Sequence, residues 1–472
     1  MQYCIYDNAY WGTYIWRRGV RVKAIRLIRY KGFEDSGWVQ LNKITLLFGL
    51  NSSGKSSLLN ALLMLKQSLQ NPARKVPFTF SDKKGVDVGN YSDVSYNHVI
   101  NPDLPVEIHM KLDLGRDFES DDKSVQFGGG DFVFKVRIGY NPKNETNILA
   151  GITFEDNQGR NILSVDTRDN VVDGSNFTSD VIDVDGLTPR TLMFKWENFL
   201  PVVIRTPIDL FMFAELAYCV QEKVTEALEK VAHVGPLRSE AERVYQFTGE
   251  SPKEVGRHGE DAFTILFLDR HEYQNPLTEK VNHWLREYNY EFHWETFGSF
   301  FQLILRDTRS GLQVNLKDVG FGISQILPIM IQGYLNNPEQ IVLIEQPEIH
   351  LHAGAQAKLG DLFIDMVNQT GKTFLIETHS EHLLLRLRRR VAETTLTEGK
   401  NEFPLYPSDI AVNFIENTSN GSVVHNIKVS EIGQLENVPD AFRSFFADDF
   451  EETMKITETI ARLKQQRQSG TE

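Results

Sequence analysis

Eight consecutive residues constrain this chain more than any other stretch: Gly49-Leu50-Asn51-Ser52-Ser53-Gly54-Lys55-Ser56. The pattern GxxxxGKS is a phosphate loop, and it requires a strand before it and a helix after it. Upstream, "WVQLNKITLLFGL" ends in a run apolar enough for a buried strand. Downstream, residues 56–69 carry helical apolar periodicity and stop at Asn71-Pro72. The glycines let the backbone curl so that its N–H groups face a phosphate chain. Gly49, Asn51, Ser52, Ser53, Gly54, Lys55, Ser56 and Ser57 are therefore the candidate nucleotide-binding residues. Lys55 is expected to reach the β- and γ-phosphate oxygens, and the Ser56 hydroxyl to ligate Mg²⁺. The expectation is a nucleoside triphosphate with Mg²⁺.

The class of phosphate-loop protein depends on the acids that complete the site. Residues 341–344 are apolar and run into Glu345-Gln346-Pro347-Glu348. A carboxylate at a strand end can hold the Mg²⁺ water shell, which makes Glu345 the metal candidate beside Ser56. A second carboxylate three residues on, Glu348, can polarise an attacking water. Without the phosphate loop these would read as a strand ending in solvated acids. No guanine-reading NKxD follows the loop, since "NKIT" at Asn42 precedes it, so small GTPases are disfavoured. A third strand, "TFLI", leads into Glu377-Thr378-His379-Ser380, where His379 can hydrogen-bond a γ-phosphate. The HxxH of His379 and His382, and the pair His350 and His352, lack the second ligand group of a zinc site. "KDVGFGISQ", from Lys317 to Gln325, reads either as a turn or as a helix N-terminus offering N–H groups to a phosphate.

Between residues 104 and 165 the apolar period changes to two. Val106, Ile108, Met110, Leu112 and Leu114 alternate with polar partners, as do Phe134, Val136, Ile138 and Tyr140. Turns at Gly128-Gly129-Gly130 and Asn141-Pro142 make this an antiparallel meander with one buried face. Residues 209–232 read as a helix without heptads, so no long coiled-coil arm is expected. "FFQLILRDTRSGLQVNL" reads as strands around a turn at 307–311, and helices are expected at 354–368, 381–393 and 441–466. The fold class is α/β, a phosphate-loop core with an inserted antiparallel β-meander and helical segment. Its expected divisions are 1–104 with the loop, 105–233 with the insertion, 234–435 with the acidic strands, and a helical tail at 436–472.

Charge bears on partners. With 50 basic and 64 acidic residues the net charge is −14, so nucleic acid could be met only through a local basic patch. Arg386, Arg388, Arg389 and Arg390 form the one concentrated basic run, which reads as a solvated helix face or as a surface for nucleic acid or an acidic partner. Two cysteines, Cys4 and Cys219, and no apolar stretch of membrane-spanning length lead to the expectation of a cytoplasmic protein without membrane contact. No role is assigned to the aromatic first 20 residues.

Phosphate loop, "DVGFGISQ", "LIEQPEIHLH" and "IETHSEHLLLRLRR" occur in that order. Together they resemble the ABC-type ATPases related to SMC and RecF proteins. Within that group they resemble the compact bacterial AAA-type ATPases of phage-defence operons, whose core the overcoming-lysogenization-defect nucleases share. "VGPLRSEAERVY" and "EIGQLENVPDAFRSFF" are similar to the same compact group. The resemblance implies an ATPase with ATP and Mg²⁺ as ligands, Glu348 as catalytic base and His379 as switch histidine. It implies that Gly320, Gly322, Ser324 and Gln325 form a signature that meets the γ-phosphate in trans, within an ATP-sandwiched dimer or higher oligomer. Glu345 departs from the more usual Asp at the metal position, and "DVGNYSD" near Asn90 is the candidate region for a Mg²⁺-sensing loop. No Toprim or HNH nuclease constellation is evident in the chain, so a separate nuclease or other effector is the implied partner, with DNA as a further one. The other readings are an ATP-bound scaffold with little turnover and a RecF-like DNA-repair ATPase.

Overall fold

The computed structural model describes residues 20–446, apart from 71–75, 115–117, 120–125, 128–129, 169–170, 182–192, 206–210, 273–275 and 320. The aromatic N-terminal segment, the break at Asn71-Pro72, Gly320 and most of the helix expected at 441–466 lie outside the described residues.

In chain order, β1 (Arg21–Tyr30) and β2 (Phe33–Asp35) form a hairpin, and β3 (Ile44–Gly49) carries the phosphate loop into α1 (Lys55–Gln70). The meander is β4 (Val106–Asp113), β5 (Asp131–Asn141), β6 (Thr146–Glu155), β7 (Asn161–Arg168) and β8 (Val171–Thr178). Helix α2 (Phe211–Glu229) leads into β9 (Val231–Val234). Further on, α3 (Phe321–Tyr334) precedes β10 (Ile341–Glu345), and α4 (Ala353–Thr370) precedes β11 (Thr373–Glu377). Helix α5 (Glu381–Leu396) then leads to β12 (Ile410–Thr418), β13 (Gly421–Val429) and β14 (Leu435–Glu436).

Two large sheets result. The first has seven strands in the order β9-β10-β11-β3-β12-β13-β14, parallel from β9 through β12 and antiparallel beyond. β3 lies inside it and is buried along its whole length, as a parallel strand covered on both faces must be. Side-chain alternation divides this sheet between two cores. Leu47, Leu343, Leu375 and Ile415 face a core shared with α1 and the meander. Leu46, Phe48, Val342, Ile344, Phe374, Ile376, Val412 and Phe414 face a second core with residues of α3, α4 and α5. Each fully buried Leu, Ile or Phe contributes about 1.5–3 kcal/mol there.

The second sheet is antiparallel, ordered β8-β7-β6-β5-β4-β1-β2. The meander therefore does not stand apart from the N-terminal segment: Leu27 of β1 lies opposite Ile108 of β4, so the division at 104/105 falls within one sheet. A second correction concerns residues 209–232. The helix ends at Glu229, and Val231 to Val234 pair in parallel with Ile341 to Ile344 as an edge strand of the core. Val231 and Ala232 are fully buried, so pairing and burial override helical continuation. A smaller antiparallel sheet contains Tyr290–Phe297 and Phe300–Asp307, closed toward Gln313–Asn315 by the turn at 307–311.

Candidate nucleotide site

The phosphate loop adopts the curl its glycines permit. Gly49 has φ 150°, Gly54 φ 105°, and Ser52 occupies the left-handed region at φ 63°. A Cβ at Gly49 would stand 2.4 Å from the Ile415 carbonyl oxygen and 2.6 Å from Ser53 Oγ, so the backbone can pass only without a side chain. Lys55 is 3% exposed, and its Nζ donates to the carbonyls of Gly49 (2.8 Å) and Leu50 (2.9 Å). The lysine thus holds the loop closed on itself, and burial pulls its pKa down. Ser53 Oγ is buried with no partner among the described residues. The loop opens onto a cavity of about 350 Å³ lined by Asn51, Ser52 and residues 54–57, with Lys31, Gly32, Glu377 and Ser422. Lys31 and Gly32 come from the β1–β2 turn and Ser422 from β13; nothing in their sequence surroundings marked them for this place.

The acid that meets Ser56 is not the expected one. Ser56 Oγ donates to Glu377 Oε2 at 2.8 Å, and Lys55 Nζ lies 3.9 Å from Glu377 Oε1. Glu345 is instead bonded to His233 Nε2 on β9 at 2.8 Å. The cause is strand order: β11 lies between β3 and β10, which sets Glu345 two strand spacings, roughly 10 Å, from the loop strand. Glu345 and Glu377 pair across the β10–β11 ladder, so the same strand-end signal existed at both positions, and sequence could not rank them.

Glu348 is held from the loop after β11. Its Oε1 accepts from the His379 backbone N–H (2.7 Å) and its Oε2 from Thr378 Oγ1 (2.9 Å). Burial pushes the carboxyls of both Glu348 and Glu377 above the ordinary range. Of the two, Glu377 lines the cavity, and a raised carboxyl pKa in a cleft marks a candidate functional group. The His379 ring stacks on Phe445 at 6.0 Å. Burial first, and the Lys55 charge second, lower its pKa, which leaves it neutral at pH 7.

A family comparison bears directly on this arrangement. Residues 44–386 match the family model described as "AAA domain, putative AbiEii toxin, Type IV TA system", a span that begins at β3 and ends within α5. The chain belongs to this AAA-domain family. No curated protein matches it. Among solved structures it is similar to the "SMC head domain from Thermotoga maritima", at 10% identity over 87% of this chain and 100% of that one, with TM-score 0.38. It is likewise similar to an SmcHead "bound to the C-winged helix domain of ScpA", at 9% identity over 87% and 98% of the two chains, with TM-score 0.44.

In this AAA-domain chain the signature candidates lie away from the phosphate cavity of the same molecule. Gly322, Ser324 and Gln325 open α3, where Ser324 and Gln325 are buried. Gln325 Nε2 donates to the Arg238 carbonyl at 3.4 Å. A Cβ at Gly322 would come within 3.3 Å of both the His350 carbonyl and Leu351 Cδ2, so the helix start is seated against the segment after Glu348. None of the three lines the 350 Å³ cavity. His352 caps α4, its side chain accepting from the Ala355 N–H. Each arginine of the basic run has a partner within the chain. Arg386 and Arg390 pair with Asp361, Arg389 pairs with Glu393, and Arg388 Nε donates to the Gly433 carbonyl. The region near Asn90 forms a capping box on a short helix, and Val94 accepts from the Lys31 N–H behind the cavity.

Proposed function

We propose that this chain binds ATP with Mg²⁺ at the phosphate loop and hydrolyses it as an ABC-type ATPase. The observation that carries the reading is the convergence, on one cavity, of a cradle that admits no Cβ at Gly49 with a buried lysine, a hydroxyl and a carboxylate. Hydroxyl and carboxylate oxygens are hard ligands of the kind Mg²⁺ prefers, so the donor set fits. Ser56 and Glu377 would hold the metal, with Glu345 behind them, and the ion would supply charge neutralisation at the phosphate oxygens. Asn51, Ser52, Ser53, Gly54 and Ser57 offer backbone and hydroxyl donors to the phosphate chain. Lys55 exchanges its bonds to the Gly49 and Leu50 carbonyls for β- and γ-phosphate oxygens. Glu348 takes a proton from the attacking water. The neutral His379 ring donates to the γ-phosphate without adding a charge.

Gly322, Ser324 and Gln325, with Gly320, would complete the site of a second copy, as the resemblance implies; Gly322, Ser324 and Gln325 do not line the cavity of their own chain. The protein then works as an ATP-sandwiched dimer or higher oligomer in the cytoplasm. Its resemblance to compact phage-defence ATPases supports a separate nuclease effector that ATP turnover controls, with DNA as a further partner. A steady-state assay tests the central step. Glu348→Gln should bind ATP as the parent chain does and lose about 100-fold or more in turnover, the usual worth of a positioned base. An unchanged rate in that variant would assign the base elsewhere.

A second reading is an ATP-bound scaffold with little turnover that holds an effector inactive. It shares the nucleotide site with the first reading and differs in whether Glu348 works as a base. Turnover measured with and without DNA separates the two readings. Pairing of the arginine run within the chain weighs against a RecF-like DNA-repair role.

A further inference from the structure

The loop after β9, Gly235-Pro236-Leu237-Arg238, carries a side chain that the reading above leaves unused. Arg238 is 6% exposed. Its Nη2 donates to the carbonyl oxygens of Glu345 (2.8 Å) and Gln346 (3.3 Å). Parallel pairing explains that reach, because Val234 lies opposite Ile344, so both strands end at the same level. Its own carbonyl accepts from Gln325 on α3. The loop is braced from behind, where Gly235 N–H donates to the Arg257 carbonyl and Ser239 N–H to the His258 carbonyl. Arg238 therefore touches the strand end that leads to Glu348 and the helix that carries the signature candidates.

Two nitrogens of this guanidinium are spare. Nε and Nη1 are buried and have no partner among the described residues. Buried N–H groups left unpaired are costly, and native structures keep few of them without a use. The acids whose charge reaches the guanidinium are Glu348 first and Glu345 second. Glu348 accepts one bond on each oxygen, and a carboxylate has about four lone-pair sites, so it retains acceptor capacity. Burial lowers the guanidinium pKa to about 10, which still leaves it charged at neutral pH.

We propose that Arg238 is a positioning residue for hydrolysis. It anchors the Glu345–Gln346 backbone and gives its spare Nε and Nη1 donors to the Glu348 carboxylate, aligning that base. The inference rests on the ATPase reading proposed above. It differs from a direct phosphate contact in a measurable way: a positioning residue affects turnover, whereas a phosphate ligand affects nucleotide affinity.

The test compares full-length wild type, Arg238→Ala and Arg238→Lys for ATP affinity by titration and for kcat at saturating ATP. Expected for Arg238→Ala is an affinity within about threefold of wild type and a kcat lower by about 100-fold. Guanidinium ion added below denaturing concentrations should restore part of that kcat, and Arg238→Lys should fall between the two. Retained ATP binding shows that a variant is folded; if Arg238→Ala does not fold, Arg238→Lys decides by the same split between affinity and kcat. Wild-type turnover in the variants, a loss of affinity in place of kcat, or a lost kcat that guanidinium does not restore overturns the inference while leaving the ATPase reading intact. A wild-type chain that binds ATP without turning it over overturns both.

Discussion

The two large sheets handle charge in opposite ways. On the antiparallel sheet, charged side chains meet in partly exposed pairs: Lys23 with Asp113 and Asp131, Arg29 with Glu107, and Lys135 with Glu155. At the C-terminal ends of the parallel strands they are withdrawn from water, as with Lys55 and Glu377, whose side chains are 3% and 8% exposed. Exposed pairs contribute about 0–1 kcal/mol each and tolerate replacement. Buried charges cost several kcal/mol of desolvation, which Coulomb attraction and hydrogen bonds offset only in favourable geometry. A chain that places lysine, arginine and three glutamates together at one sheet end retains them for something other than stability.

That contrast can be broken by mutation, most severely at the loop itself. Lys55→Ala removes the cation at the phosphate cradle, so ATP binding and turnover should both collapse while the fold survives. Unchanged affinity in a binding titration would remove the phosphate-loop assignment. Next in size is the ranking of the two strand-end acids. Glu377→Gln should weaken Mg²⁺-dependent ATP binding by about tenfold or more, and Glu345→Gln by less, because only Glu377 touches Ser56. Titrations with and without Mg²⁺ measure this, and the reverse order would reinstate Glu345 as the principal metal residue.

A pH-dependent effect on stability sharpens the comparison at the other end of the parallel strands. Lys372, fully buried just before β11 with its Nζ donating to the Gln332 carbonyl, is pushed down by burial to about 7. Between pH 7 and the ordinary lysine value of 10.5 the folded chain therefore binds fewer protons than the unfolded one. Stability contributed by this group should rise with pH across that window and be lost as pH falls toward 7. Lys372→Met should flatten the slope in denaturant midpoints taken across pH 7 to 10; an unchanged slope would place its origin elsewhere. The smallest effect belongs to the antiparallel sheet. Lys135→Ala should cost no more than about 1 kcal/mol and leave ATP affinity unaltered. A larger loss of stability, or any loss of affinity, would show that this face is not a solvated ladder.

What could be read from sequence was local. GxxxxGKS dictates its own backbone path, because glycine conformations and a helix N-terminus depend on neighbouring residues alone. Alternation in residues 106–112 marks a strand with one buried face for the same reason. Glu348 was legible as an acid near the site through its position after an apolar strand. Pairing across the chain was not legible. Whether Val231 to Val234 continue a helix or join a sheet depends on Ile341 to Ile344, more than 100 residues away. The place of β11 between β3 and β10 decides that Ser56 meets Glu377 and that Glu345 meets His233. The partners Asp361 and Gly433, which absorb the arginine run, and the carbonyls that hold Arg238 are likewise assembled only by tertiary contact. Residue type and local period thus determined the phosphate cradle and the elements around it. Strand order, through the strand-to-strand spacing it imposes, decided which acid faces the cradle and which arginine holds the end of the acidic strand.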